Sequence, residues 1–240
     1  MTVEFDVGAE WAAVEDRAGA WRFVEGFARY WCEPISARDG CSYEELTDAE
    51  HRLRSPLPTA LWDVYGLLGR RADLTGVQDP LLPLEQLRIV DGALVFRLEN
   101  QAVAEWAVRQ EDLEKDDPPV VFRRTDGGAH DWSPFLDRFS LACVEMVLSE
   151  SVLAHDEKRA DNRPLEESET LDAPPTGFER LSLPDYPLWA VDAAVVRWFS
   201  SPDALLRVDA GDWLWVLGRT APALDAVRAL LPGDWINRPL

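Results

Sequence analysis

Apolar positions in the first part of the chain recur at the spacing of a helix. Four of them share one face of a helix predicted over residues 10–31: Ala20, Val24, Phe27 and Trp31. A second helix is predicted over residues 43–53. Ser42 is suited to cap its first turn, and Glu45 stands where a capping box places a carboxylate.

Two further helices are predicted in the first two thirds of the chain. One covers residues 57–69, and Gly69 is expected to close it in the left-handed conformation. The other begins after Ser133 and Pro134, which resemble an N-cap followed by proline in the first turn. Its apolar stripe is expected to contain Phe139, Cys143, Met146 and Val147.

Between these helices the pattern changes to that of strands. Short apolar runs predict three or four strands of an antiparallel meander, at residues 89–90, 94–98, 104–108 and 120–122. Asp91 and Gly92 indicate a tight turn between the first two runs. The predicted fold class is therefore α+β, with helices packed on a mostly antiparallel mixed sheet.

The chain divides at a polar segment. Residues 156–176 are charged and contain prolines, which predicts a linker or a long surface loop. Residues 177–240 then predict a compact β-β-β-α unit, which we expect to dock on the first part and extend its sheet. An N-terminal helical segment, residues 1–40, and a main domain, residues 41–155, precede the linker.

The net charge of the chain limits the classes of molecule that it is expected to bind. The formal net charge of the 240 residues is -20, with 24 Lys and Arg against 44 Asp and Glu. Because nucleic-acid affinity comes largely from Lys and Arg, such a chain is not expected to bind nucleic acid directly. A basic protein is the favoured partner, since opposite charge speeds encounter. The alternative is an acidic surface that only maintains solubility.

The cysteines and the apolar runs bear on location. The cysteine residues number three, stand far apart and form no Cys-x-x-Cys pair, which indicates a reducing compartment and neither a disulfide framework nor a zinc cluster. We find no signal peptide and no apolar run that approaches the roughly 18 residues of a membrane span. The expected location is cytoplasmic, with no membrane, metal or nucleotide cofactor involved.

The polar triplet Glu99, Asn100 and Gln101 lies between two apolar runs. Glu99 is a candidate general base, and together with His130 it would give a small hydrolase or transferase its acid and base. The favoured interpretation is structural, with Asn and Gln capping backbone groups where a strand turns. A recognition element at a sheet edge is the third interpretation.

Asp116 and Asp117 stand before a proline pair. Paired carboxylates can serve glycoside hydrolysis, but neighbours in an extended chain point to opposite faces. Exposed acids beside a stiff loop would instead meet a basic partner. Trp213 and Trp215 share one face of a predicted strand, which is either an interaction patch or, as we favour, packed under the last helix.

The order of several weak motifs over residues 43–148 resembles the SUKH superfamily of Smi/Knr-like proteins. The motifs are AEHRL, SPLPTALWDVYGLLG, LVFRLENQAVAEWAV, DDPPVV and WSPFLDRFS. The resemblance implies that residues 41–155 form a SUKH domain that is not an enzyme and recognises another protein. The C-terminal β-β-β-α unit departs from the minimal pattern of that superfamily.

Many bacterial members of the superfamily look like immunity proteins that neutralise a toxin, often a nuclease. The resemblance therefore implies an immunity protein with a basic toxin domain as its partner, and a regulatory scaffold as the alternative. The candidate partner-binding residues are Glu99, Asn100, Gln101, Asp116 and Asp117.

Overall fold

The structure is a computed structural model, and it describes residues 5–126, 131–154, 156–166, 169, 171–190 and 195–237. Its fold is α+β, as predicted, but it contains two separate five-stranded sheets, and both are antiparallel throughout. The mixed sheet of the prediction is therefore wrong.

Seven α-helices and ten strands make up the described part of the chain. The helices are α1 (Val7–Ala12), α2 (Arg17–Trp31), α3 (Tyr43–Leu53), α4 (Thr59–Leu68), α5 (Ala72–Thr75), α6 (Phe139–Val152) and α7 (Ala221–Leu230). The strands of the first sheet are β1 (Arg88–Val90), β2 (Ala93–Leu98), β3 (Ala104–Arg109), β4 (Val120–Arg124) and β5 (Ser133–Leu136). Those of the second sheet are β6 (Ala160–Pro164), β7 (Glu179–Arg180), β8 (Val196–Ser201), β9 (Ala204–Asp209) and β10 (Trp213–Gly218).

Side-chain caps set the limits of the first helices. The predicted helix over residues 10–31 is divided into α1 and α2, because the Asp16 carboxylate accepts from the backbone N–H of Gly19 at 2.7 Å and starts a new helix. The capping box of α3 is confirmed, since the side chains of Ser42 and Glu45 each accept from the other residue's backbone N–H.

Gly69 is required because of close packing around it, and not because of a left-handed backbone conformation. Its φ of -57° is right-handed, so the prediction of a left-handed cap is wrong. A Cβ at Gly69 would stand 2.5 Å from Cys41 Sγ and 2.6 Å from the carbonyl oxygen of Tyr65. The close approach of the loop before α3 therefore requires the missing side chain.

The first sheet has the order β1-β2-β3-β4-β5, each strand beside its neighbours in sequence. The predicted turn at Asp91 and Gly92 is confirmed, and both residues have positive φ. The register between β2 and β3 shifts between Val95 and Arg97, so a bulge interrupts the alternation. Ser133 and Pro134 belong to β5, and the predicted helix start there is wrong because α6 begins only at Phe139.

The second sheet has the order β6-β10-β9-β8-β7. Strands β8, β9 and β10 and helix α7 form the predicted β-β-β-α unit, but they do not extend the first sheet. The predicted linker contributes β6, a strand with a buried Asp161 and a buried Arg163. These charges are accommodated because Arg228 pairs with Asp161 at 2.5 Å and Glu169 pairs with Arg163 at 2.5 Å.

Helix α6 lies between the two sheets, and every one of its residues is buried. It packs against β5 on one side and against β9 and β10 on the other. Helix α7 covers the far side of the second sheet, where Leu224 and Val227 pack with Leu214 and Val216. The polar side chains of α6 consequently need partners inside the protein.

Candidate functional site

The triplet at residues 99–101 forms the turn between β2 and β3. The Glu99 carboxylate is only 4% exposed and accepts from the backbone N–H of Gln101 at 2.7 Å and of Val103 at 3.3 Å. The predicted turn is present, but the carboxylate that caps its backbone groups belongs to Glu99, whereas the structural interpretation assigned this role to Asn100 and Gln101. The side chains of Asn100 and Gln101 are exposed, whereas Glu99 is too buried to meet a partner. His130 lies outside the described residues.

Asp116 and Asp117 have separate roles. Both carboxylate oxygens of Asp117 accept from Ser140, one from its backbone N–H at 2.8 Å and one from its hydroxyl at 2.6 Å. Asp117 therefore caps the first turn of α6, a role that the sequence analysis missed. Asp116 is exposed, and its carboxylate accepts from the Thr59 hydroxyl at 2.6 Å.

The five predicted partner-binding residues do not form one surface. The turn at 99–101 precedes β3, and the acids at 116–117 follow it, so they lie toward opposite ends of that strand. Six residues of strand span roughly 20 Å. Glu99 and Asp117 are moreover engaged inside the fold, which leaves Asn100, Gln101 and Asp116 as exposed candidates.

An aromatic groove lies between α3 and α4, close to Asp116. Tyr43 is 77% exposed, and its ring stands 5.2 Å from that of Trp62. The groove has a volume of about 480 Å³ and is lined by Trp21, Cys41, Tyr43, Leu46, Trp62, Asp63, Gly66 and Leu67. An exposed tyrosine of this kind, beside tryptophan, is typical of protein-binding surfaces.

Polar contacts hold the aromatic groove in shape and join it to an acidic rim. The indole N–H of Trp21 donates to Asp63 at 2.8 Å, and that of Trp62 donates to Glu50 at 3.0 Å. Arg17 pairs with Asp63 at 3.1 Å and donates to the Asp116 carbonyl oxygen at 3.3 Å. The acidic loop at residues 111–117 therefore flanks the groove.

The sequence contained a usable signal for this groove. In the helix predicted over residues 57–69, four apolar residues at helical spacing share one face, and the structure buries all of them: Leu61, Val64, Tyr65 and Leu68. Trp62 is off that face, and Tyr43 occupies the first turn of a helix that has only two buried residues. Large aromatic side chains outside an apolar face are the pattern that indicates a binding surface.

The predicted packing of Trp213 and Trp215 under the last helix is wrong. Leu214 and Val216, the alternate residues of β10, face α7. The two tryptophan rings lie 6.1 Å apart on the other face, and Trp213 is 39% exposed. They line a cavity of about 360 Å³, which we call the tryptophan cavity, together with Gln78, Asp79, Leu153, Leu188, Trp189, Ala190, Arg207, Asp209, Ala210 and Asp212.

A buried ionic cluster adjoins the tryptophan cavity. The guanidinium of Arg97 pairs with Glu145 at 2.8 Å and with Glu150 at 3.0 Å, and Asp79 lies 3.9 Å away. Glu150 also accepts from the backbone N–H groups of Gln78 and Asp79, at 2.6 and 3.0 Å. The cluster joins β2 and α6 to the turn that borders the cavity.

Burial changes the acidity of several groups. Desolvation raises the pKa of Asp79 to about 6, although Arg97 opposes that rise. Burial raises the pKa of the thiols of Cys32, Cys41 and Cys143, so none is an activated nucleophile. All three cysteines are free.

Two structural findings concern metals and membranes. No group of three or more His, Cys, Asp and Glu residues among those described is arranged to hold a metal ion. No helix in the described ranges has the length and apolar character needed to cross a membrane.

The chain has no match among known proteins in three comparisons. No protein-family profile matches it, and neither a curated protein nor a solved structure does so. The resemblance to the SUKH superfamily stays a prediction.

Proposed function

We propose that this protein is a non-enzymatic protein-binding module and that the aromatic groove with its acidic rim is its docking surface. The observation that carries the proposal is the exposed ring of Tyr43, which lies 5.2 Å from the ring of Trp62, next to Asp63 and the exposed Asp116. The favoured partner is a basic protein, and the specific function proposed is immunity against a toxin domain in the cytoplasm.

The energetic case starts from the aromatic side chains. Exposed Tyr and Trp bury a large apolar area when a partner covers them and lose little conformational entropy. The indole N–H groups of Trp21 and Trp62 already have carboxylate acceptors, so covering the groove leaves neither donor without a partner. The groove is therefore prepared for an apolar contact.

The charge of the chain supports a basic partner. A net charge of -20 repels acidic proteins and accelerates the approach of basic ones. Near the groove, Glu111, Glu114 and Asp116 are exposed on the loop that follows β3. The expected complex therefore has an apolar centre and an electrostatic rim, and its association rate falls as salt rises.

The choice of a toxin rests on the resemblance to the SUKH superfamily. Over residues 43–148 the helices α3 and α4 and the short α5 precede an antiparallel sheet, and α6 follows it, which agrees with the predicted α+β domain. The three free cysteines agree with a reducing compartment. A regulatory scaffold would use the same surface without relieving toxicity.

The experiment is capture of the partner on the immobilised full-length protein, followed by co-expression of the two. Tyr43→Ala removes the most exposed aromatic ring of the groove without opening the core. Leu230→Ala is the matched control, because Leu230 is 43% exposed on α7, outside the groove. We expect one basic partner that is lost with Tyr43→Ala and kept with Leu230→Ala, and whose toxicity the wild-type chain relieves.

Two results would overturn parts of the proposal. Equal capture by both variants would show that the aromatic groove is not the docking surface. A captured partner that is harmless to cells would remove the immunity function and leave the scaffold.

A further inference from the structure

We propose that the tryptophan cavity is a second binding site, specific for an organic cation of the alkylammonium or guanidinium type. Its walls place Trp189, Trp213 and Trp215 beside the acidic residues Asp79, Asp209 and Asp212. This inference does not depend on the proposed function, since the cavity is lined by none of the residues of the aromatic groove.

The aromatic walls of the cavity offer cation–π contacts to a ligand. Trp213 and Trp215 hold their rings 6.1 Å apart at an interplanar angle of 32°, so their faces form an angled wall rather than a closed stack. Tryptophan faces attract cations more strongly than those of other aromatic side chains. A volume of about 360 Å³ accommodates a small organic cation.

The acidic residues in and beside the cavity give it a negative charge that attracts a cation. Among the described residues, five carboxylates stand in the cavity or in the ionic cluster beside it, against two guanidinium groups. The carboxylates are Asp79, Asp209, Asp212, Glu145 and Glu150, and the guanidinium groups are Arg97 and Arg207. The local surplus is negative, so the cavity selects a cation over a neutral or anionic molecule.

A buried acceptor atom points to a missing ligand. Asp79 is only 8% exposed, and its Oδ1 has no hydrogen-bond partner among the described residues. Because an unsatisfied buried polar atom destabilises a protein, a ligand that donates to Asp79 offsets a cost already present in the fold.

The two nearby arginines, Arg97 and Arg207, do not act as the cation that the cavity would bind. Arg207 is held by Asp209 at 2.6 Å, and its guanidinium lies 5.8 Å from the ring centre of Trp198. Arg97 is buried and is held by Glu145 and Glu150. Both guanidinium groups are fixed by other partners, so the aromatic walls are open to an external cation.

The protonation of Asp79 gives the site a pH dependence. The groups that act on Asp79 are Arg97 from β2, Glu145 and Glu150 from α6, and Arg207 from β9. Desolvation raises the pKa of Asp79 to about 6, so its charge is present at pH 7.5 and largely absent at pH 5. A cation is therefore expected to bind less tightly at pH 5.

The test compares choline with 3,3-dimethylbutan-1-ol, which has the same shape without the charge. Calorimetric titration of the full-length protein at pH 7.5 is expected to show choline binding at least tenfold tighter than the neutral alcohol. Trp213→Ala and Asp79→Asn are each expected to weaken choline binding at least fivefold. Tyr43→Ala, in the other site, is expected to leave choline binding unchanged.

A second pair of probes distinguishes a free cation from a protein side chain. The peptide Gly-Gly-Lys-Gly-Gly is compared with its counterpart in which norleucine replaces lysine. Tighter binding of the lysine peptide than of choline would identify a side chain of a protein as the ligand, and the reverse would identify a free cation.

Equal binding of choline and its neutral counterpart, or binding of neither cation at 10 mM, roughly the weak limit of specific ligand recognition, would overturn the proposal. Because Tyr43 is in the other site, loss of partner capture with Tyr43→Ala alone would leave this inference standing. Near-ultraviolet circular dichroism of each variant confirms that the fold is retained.

Discussion

The guanidinium of Arg97 pairs at 3.0 Å with Glu150, a carboxylate that is completely buried in the last turn of α6. This contact fastens the first sheet to the helix that separates the two sheets. Removal of one partner from such a pair leaves a buried charge without compensation, which is far more destabilising than loss of a surface pair.

Arg97→Ala is therefore expected to lower the free energy of unfolding by about 3–5 kcal/mol. It leaves Glu145 and Glu150 buried without their cation. Denaturant titration measures the change. Arg180→Ala is the control, because Arg180 pairs with Asp185 on the surface and its loss is expected to change the stability very little. Equal effects of the two substitutions would contradict the role assigned to the buried pair.

The pKa of Asp79 predicts how stability depends on pH. The pKa is about 6 in the folded protein against a usual 3.8, so the folded state holds the proton more tightly than the unfolded state. The Asp79 contribution to the free energy of unfolding consequently falls as pH rises from about 4 to about 6. Above that range the loss is constant.

Asp79→Asn removes this titration. At pH 7 the variant is expected to be more stable than the wild type by at most about 3 kcal/mol, and at pH 4 the difference disappears. Urea titrations of both proteins at pH 4, 5, 6 and 7 give the comparison. Curves that run parallel across this range would show that Asp79 titrates normally.

Substitutions of the neighbours Asp116 and Asp117 are expected to have different effects, one on binding and the other on stability. Asp117→Ala removes the cap of α6 and should lower the free energy of unfolding by about 1 kcal/mol. Asp116→Ala removes an exposed acid of the rim and should slow association with a basic partner at low salt. Thermal unfolding and stopped-flow association measure the two effects. The opposite assignment of effects would contradict the separate roles.

Gly40 and Gly66 make a matched pair of substitutions. A Cβ at Gly40 would stand 1.7 Å from the carbonyl oxygen of Gly66, so Gly40→Ala must push the loop away from α4. We expect a loss of about 3 kcal/mol. A Cβ at Gly66 meets nothing within 4 Å, so Gly66→Ala should stabilise the helix by about 0.5–1 kcal/mol. Thermal unfolding tests both, and a loss of stability in Gly66→Ala would contradict this interpretation.

Local signals in the sequence predicted most of the elements. The capping box at Ser42 and Glu45, the turn at Asp91 and Gly92, and the β-β-β-α unit are all present. Each depends on residues close together in the chain, whose conformational preferences act before any tertiary contact. The α+β class followed from the same elements.

Contacts between distant residues account for what the sequence did not predict. Strand β6 looked like a linker because Asp161 and Arg163 are charged, but Arg228 and Glu169 neutralise them inside the fold. The alternation of side chains along β10 also does not determine which of its faces α7 covers. A pattern of period two identifies two faces and leaves open which one meets the helix.

The candidate site was predicted only in part. Asp116 belongs to the rim of the aromatic groove, whereas the turn at 99–101 lies near the other end of β3. Tyr43 was missed because an apolar ring in the first turn of a helix is easily assigned to the core. Its place in a mostly polar helix was the available signal, whereas the extent of its exposure depends on how α3 and α4 pack.

The most direct test of the proposed docking surface is the dissociation constant of the captured basic partner for the wild type, Tyr43→Ala and Leu230→Ala. A hot-spot residue contributes about 2 kcal/mol, so we predict roughly 30-fold weaker binding for Tyr43→Ala and unchanged binding for Leu230→Ala. Equal dissociation constants for all three proteins would contradict the account and place the docking surface elsewhere.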